Sequence, residues 1–237
     1  MLYFPHPLTC DDEGLVAIGG DLSYQRLELA YSFGLFPWYN QEPILWWFTH
    51  PRCIIYTDQI KLSKSMRSLV YNKRPWKVTI DQAFDTVIEN CSEIKRQGQN
   101  GTWITNEIKN SYSTLHSLGV AHSVEVWSKE GNLIGGLYGV VKGKIFFGES
   151  MFAKKANASK YALIYLAAYL LHLGCEVIDC QQDTDHMRSM GAVLLSKDSF
   201  WDKVKHNTLE NDLEISSLTF NNWLVEHLAN RTSPGYP

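Results

Sequence analysis

The residues best suited to chemistry lie in two short stretches, GESM at Gly148 to Met151 and IDCQQDTDH at Ile178 to His186. In the first, Glu149 stands among apolar neighbours in a strand-like run, and a period of two predicts that Phe147, Glu149 and Met151 share one face. A carboxylate on an apolar face is costly to bury alone, so it has a partner or a substrate. An ion pair with Lys154 or Lys160 fits the pattern as well as a functional role does. In the second stretch, the apolar run Val177 and Ile178 reads as a buried strand that Asp179 interrupts. Asp179 and Gln181 share a face by the same period, with Cys180 turned into the core. Asp183 and Asp185 read as solvated loop acids, and His186 as a loop histidine with a supporting role at most.

Other residues point to large, flat and negatively charged ligands. Trp38, Trp46, Trp47 and Trp103 offer rings on which a nucleobase stacks, although Trp46 and Trp47, inside ILWWF, read better as core. Asn157 or Ser159 opens an apolar helix whose first N–H groups favour an anion, a weak signal since most helices have such a cap. From Lys61 to Lys77 there are six basic residues and no acid, with Tyr71 and Trp76 interleaved. Leu62, Met66, Leu69 and Val70 form a helix-spaced apolar face that leaves Lys64 and Arg67 outward. A solvated helix face is the plain reading; a surface for phosphates is the sharper one.

The chain of 237 residues is 45% hydrophobic and 13% aromatic, enough to bury a sizeable core, and its net charge of -3 excludes dominance by one sign. Its five cysteines include no C-x-x-C and its eight histidines no H-E-x-x-H, so reduced thiols, a cytoplasmic location and no metal are expected. The start lacks a signal-peptide pattern, and no window approaches the roughly 20 apolar residues that span a bilayer.

Elements must position these groups. Residues 1–52 read as a small loop-rich lobe with one helix, capped by Asp21 or Ser23, burying Leu27, Ala30 and Tyr31 and stopped by Gly34. In residues 53–237, CIIYT is a buried strand, Phe84 to Ile94 a core-packing helix, and Ile108, Tyr112 and Leu115 the inward face of another. Ala121 to Trp127, Leu133 to Val141 and Lys144 to Phe152 form an antiparallel meander. A helix from Lys160 to Leu173 then leads to EVIDC, a β-α-β unit with its usual right-handed crossover. The fold class is α+β, with the plan of an acyltransferase-type α/β fold. TSPGYP reads as a frayed tail.

The ordered set FPHP, GLVAIGGDLS, RL-x-x-AY, FPWY, PILWW, TWI, LH-x-x-G-x-AHSVEVW, GGLYGV, FGESMF, NASK-x-AL, IDCQ and GA resembles the leucyl/phenylalanyl-tRNA-protein transferase family from residue 4 to about 200. The resemblance implies a GCN5-related N-acetyltransferase-like domain after the lobe, and transfer of Leu, Phe or less often Met from aminoacyl-tRNA. The acceptor is the α-amine of a protein beginning with Arg or Lys, which is thereby marked for degradation. It implies no cofactor. Carried over residue by residue, the catalytic set falls on Asp179, Gln181 and Glu149. Trp38 and Trp103 match the aromatics at the terminal adenosine, and Leu137, Phe146, Met151, Leu163 and Leu166 line the side-chain pocket. Lys64, Arg67, Lys73 and Arg74 face the tRNA acceptor stem, with looser spacing.

Asp179 is expected to orient the amine and take up its developing charge, directly or through Gln181, and Glu149 to pair with a cationic amine. Phe48, Thr49 and His50 stand where the family tends to have Ser-Pro-Asp, a departure expected to affect the lobe edge without touching IDCQ or GES. A CoA-dependent N-acetyltransferase would need a Gly-rich pyrophosphate loop, and AKKANAS has no glycine. A non-catalytic tRNA-binding module would leave IDCQ and the apolar pocket unexplained. A monomer is expected.

Overall fold

A computed structural model describes residues 2–94, 102–221 and 223; the TSPGYP tail lies outside these. The N-terminal segment holds more than loops. Strands β1 (Leu15–Ile18), β2 (Phe36–Pro37) and β3 (Leu45–Trp47) form an antiparallel sheet in the order β1-β3-β2. With two to four residues each, they are too short to show alternation. Between them runs α1 (Tyr24–Ser32), with Ser23 at its N-cap, Leu27, Ala30 and Tyr31 buried, and Gly34 at φ 69° just beyond it.

The main sheet has seven strands: β4 (Arg52–Tyr56), β5 (Lys77–Ile80), β6 (Ala121–Trp127), β7 (Leu133–Lys142), β8 (Ile145–Ala153), β9 (Val177–Gln181) and β10 (Val193–Leu195). Their order is β10-β4-β9-β8-β7-β6-β5, antiparallel except for the β8–β9 pair. This mixed sheet with helices on both faces agrees with the expected α+β class. One face carries α3 (Phe84–Glu93) and α4 (Asn106–Ser117), with α1 beside them; their apolar stripes bury Val87, Ile88, Ile108 and Leu115. The other face carries α5 (Ala158–His172), apolar almost all round and buried along most of its length, as expected of a helix sunk in a core. Gly135 lets α5 approach β7, because a Cβ there would lie 2.5 Å from Ala158 Cβ.

Phe4, Leu27 and Trp46 belong to the same buried cluster as Val87 and Ile108, so the first 52 residues share a core with the rest. Other helices are α2 (Lys64–Arg67), which continues into a π-helical turn over Ser68–Lys73, α6 (Asp185–Ser189) and α7 (Lys197–Asn207). No helix among the described residues is long and apolar enough to cross a membrane, and no cluster of His, Cys, Asp or Glu among them is arranged to hold a metal.

Two irregularities in the sheet matter for chemistry. Tyr138 pairs with Ser150 and Gly139 with Gly148, which leaves Glu149 as an extra residue in β8. A Cβ on Gly139 would lie 2.3 Å from Phe147 O, so only glycine fits beside this bulge. Likewise Ile54 pairs with Asp179 and Cys53 with Gln181, which leaves Cys180 as an extra residue in β9. The β8–β9 ladder stops at Phe147–Asp179. Beyond that point the two strands part, and a cavity opens between the C-terminal half of β8 and the end of β9.

Candidate active site

The cavity of about 600 Å³ is lined by Trp38, Trp103, Leu137, Phe146, Met151, Leu163 and Leu166, with Glu149 and Gln181 among them. All seven side chains expected to bind substrate therefore share one chamber with two of the three expected catalytic groups. Trp38 is held through its backbone, donating to Leu45 O at 3.0 Å and accepting from Trp47 Nε1 at 2.7 Å.

Glu149 is 7% exposed and ligated by three neutral donors. Tyr31 Oη donates to Oε1 at 2.9 Å, Gln181 Nε2 to Oε1 at 2.9 Å, and Tyr112 Oη to Oε2 at 3.3 Å. The two tyrosine hydroxyls also lie within hydrogen-bonding reach of each other; with one proton apiece, they complete all three contacts only when Glu149 itself carries a proton. Among the described residues no lysine pairs with this carboxylate: Lys160 donates to Ser189 Oγ at 3.0 Å and Lys154 sits over the Phe152 ring. Burial pushes the Glu149 carboxyl up to about 7, helped by the nearby Asp179 charge and opposed by the three hydrogen bonds. A group poised there exchanges a proton at neutral pH. Burial first, then the Glu149 charge, raise both tyrosines well above the ordinary phenol range, so they remain neutral donors.

Asp179 does not line the cavity. It is fully buried against Arg52, whose Nε donates to Oδ1 at 2.8 Å and whose Nη2 donates to Oδ2 at 2.7 Å. Arg52 is itself enclosed by the rings of Phe36, Phe48 and Phe200 and donates to Gly34 O at 2.9 Å. Asp179 Oδ1 also accepts from the Gln181 backbone N–H at 2.9 Å. Gln181 adopts φ 61°, unusual for a residue with a Cβ, a strain of roughly 1–3 kcal/mol that the surroundings must hold. The bond from Asp179 and a 3.3 Å bond from Thr49 Oγ1 to Gln181 O fix it. The result is a relay of positions in which Arg52 clamps Asp179, Asp179 clamps Gln181, and Gln181 aims its amide at Glu149.

Several expectations change. The bulge at Glu149 breaks the alternation: Phe147 and Glu149 face the α1/α4 side, while Met151 packs on the α5 side. Cys180 is half-buried, packing against the core cluster on the α5 side and also lining the cavity. Thr49, from the segment that departs from the family pattern, touches Gln181 directly. His186 lies on α6, lines the cavity, and has a buried Nε2 without a hydrogen-bond partner among the described residues. Burial, then Lys160, lowers its pKa. Ser159 lines the cavity as well, and Asn157 caps α5 at φ 70°. Lys64, Arg67, Lys73 and Arg74 are all exposed, over Met66 and Val70, which are buried beneath them.

Arg52, Tyr31, Tyr112 and Thr49 escaped the sequence. The tyrosines sit at helix spacings that mean core, and nothing local shows that a hydroxyl reaches a carboxylate. Arg52 did leave a trace: a lone cation at the start of one apolar strand and a lone acid inside another are unlike charges that burial forces together.

Residues 54–205 match the family described as Leucyl/phenylalanyl-tRNA protein transferase, and residues 20–50 match its N-terminal domain. A leucyl/phenylalanyl-tRNA–protein transferase of Flavobacterium johnsoniae is 49% identical over 205 residues, covering 86% of this chain and 96% of that protein. One of Maridesulfovibrio salexigens is 50% identical over 200 residues, covering 84% of this chain and 83% of that protein.

Proposed function

Because the chain belongs to the leucyl/phenylalanyl-tRNA protein transferase family, we propose that it moves Leu, Phe or less often Met from aminoacyl-tRNA to the α-amine of proteins that begin with Arg or Lys. The observation that carries this reading is the chamber itself: an apolar pocket lined by two tryptophans and by a carboxyl poised near neutrality. Leu137, Phe146, Met151, Leu163 and Leu166 take the leucyl or phenylalanyl side chain. Trp38 and Trp103 stack on the terminal adenosine, and Lys64, Arg67, Lys73 and Arg74 meet the acceptor-stem phosphates.

The acceptor nitrogen attacks the ester carbonyl carbon. A C–N bond forms, the C–O bond to the ribose breaks, and the amine's proton ends on the departing ribose oxygen. The ester is already activated, so placing the two reactants together supplies much of the acceleration. An α-amine titrates at about 7.7–8.0 and is mostly ammonium at pH 7. Glu149 is matched to take that proton once ionised, and Gln181 holds the carboxylate and the amine in register. Asp179 acts from behind, as a positioning residue for Gln181.

The parallel β8–β9 pair that splays at the site supports a GCN5-related acetyltransferase type of domain over residues 53–237, with residues 1–52 as the lobe that supplies Trp38 and Tyr31. We take the protein to act as a cytoplasmic monomer that marks its acceptors for degradation. Incubation with labelled Leu-tRNA, or with labelled acetyl-CoA, and an Arg-initiated peptide tests the reading. Label moves from the tRNA alone; transfer from acetyl-CoA, or from neither, overturns it.

A further inference from the structure

Two of the five cysteines stand on neighbouring strands, and one of them lines the cavity. Cys53 is on β4 and Cys180 on β9, neighbouring antiparallel strands. Arg52, Ile54 and Asp179 point to the α1/α4 face, so Cys53 and Cys180, each one position away, both turn toward α5. The bulge makes Cys180 the extra residue next to the Cys53–Gln181 pair, so the two cysteines are neighbours across the strand pair. Cys53 is fully buried, whereas Cys180 is half-buried and lines the cavity, so one member of the pair is reachable by a small solute. The others stand apart: Cys91 is buried on α3, Cys175 donates to Lys144 O, and Cys10 lies near the chain start.

We infer that Cys53 and Cys180 are a modification site for hydroperoxides, which close them into a disulfide that switches the candidate active site off. The Cys180 sulfur attacks hydrogen peroxide; an S–O bond forms, the O–O bond breaks, and water leaves. The Cys53 sulfur then attacks the Cys180 sulfenic acid; an S–S bond forms, the S–O bond breaks, and a second water leaves. The two thiols supply the two electrons and the peroxide receives them. The neighbouring Cys53 side chain, then burial, raise the Cys180 thiol, so its oxidation should quicken as pH rises and the thiolate forms.

Closure has a consequence for Gln181. A disulfide requires its sulfurs about 2.05 Å apart, well inside the van der Waals separation of two unbonded thiols. Drawing Cys180 toward Cys53 moves the peptide that joins Cys180 to Gln181, whose strained backbone rests on the Asp179 and Thr49 bonds. A shift of about 1 Å at such a group can cost on the order of a hundredfold in rate. The inactivation rests on the function proposed above; the cross-link does not.

The test treats the full chain with hydrogen peroxide, follows aminoacyl transfer, and maps thiols by alkylation and peptide mass. The expected result is a Cys53–Cys180 cross-linked peptide, transfer reduced at least tenfold, and recovery of both by dithiothreitol. Cys53→Ser and Cys53→Val should transfer normally and regain full activity after peroxide and dithiothreitol without ever forming the cross-link. The inference is overturned if Cys53 and Cys180 stay alkylatable while Cys10 is oxidised, or if the cross-link forms with transfer unchanged. Mass mapping of the unsubstituted protein decides even if both Cys53 variants fail to fold, and it reads the pair whether or not aminoacyl transfer is the activity.

Discussion

The guanidinium of Arg52 grips both oxygens of Asp179, at 2.8 and 2.7 Å, and neither side chain is exposed to solvent. Removing one partner leaves the other charge buried alone, which typically costs about 3–5 kcal/mol. Arg52→Ala should lose that much stability in urea denaturation. Arg52→Met combined with Asp179→Leu should recover most of it, because an apolar pair fits the Phe36, Phe48 and Phe200 cage, yet stay inactive for lack of a clamp on Gln181. A double variant that transfers normally would remove the pair from the account.

Asp179→Asn keeps the shape and weakens the clamp. Turnover should fall at least tenfold, with KM for aminoacyl-tRNA little changed, since the substituted group lies behind the cavity wall. The acid side of the pH profile should remain, because it belongs to Glu149. Loss of that limb in Asp179→Asn would return the proton to Asp179 itself.

Glu149 also leaves a signature in stability. Its folded pKa of about 7 lies above the ordinary carboxylate value, so between about pH 4.5 and 7 the folded chain holds a proton that the unfolded chain has lost. Stability contributed by the protonated form is present below that window and lost as pH rises through it, by about 3 kcal/mol in all. Glu149→Gln, which titrates nowhere in the range, should be flatter than the unsubstituted chain by that amount when urea midpoints are compared at pH 5 and 8. Parallel curves would mean that Tyr31, Tyr112 and Gln181 do not hold the carboxyl as described.

On the outer surface, Lys64, Arg67, Lys73 and Arg74 are exposed and free to meet phosphates. Replacing each by Ala should raise KM for aminoacyl-tRNA and reduce the salt slope of binding by about one for each phosphate no longer neutralised. Transfer from a short aminoacyl-adenosine, which carries no stem, should be unaffected. Equal damage to both substrates would place these residues in folding instead of tRNA binding.

The sequence was most legible where one element settles the answer. The alternation in AHSVEVW, LIGGLYGVV and KIFFGESMF marked β6, β7 and β8 almost to the residue, and the helix spacings marked α1, α3, α4 and α5. Strands of two to four residues, such as those of the first sheet, β5 and β10, carry too few positions to show a period. A bulge is defined only against a partner strand, so the parity change at Glu149 and the emergence of Cys180 into the cavity have no local signal. The apolar chamber and the placement of Glu149 and Gln181 followed the family resemblance. The clamp of Arg52 on Asp179 and the bonds of Tyr31 and Tyr112 to Glu149 join residues 127, 118 and 37 positions apart, which only the folded chain brings together.

The most direct measurement is kcat/KM for an Arg-initiated acceptor peptide against pH, with saturating Leu-tRNA, for the unsubstituted chain and Glu149→Gln. This ratio reports the free enzyme's groups. The unsubstituted chain should show an acid limb near pH 7 from Glu149, beside the acceptor amine's own limb at about pH 8. Glu149→Gln should be at least tenfold slower above pH 7 and keep only the amine's limb. Superimposable profiles for the two proteins would contradict the assignment of the proton to Glu149.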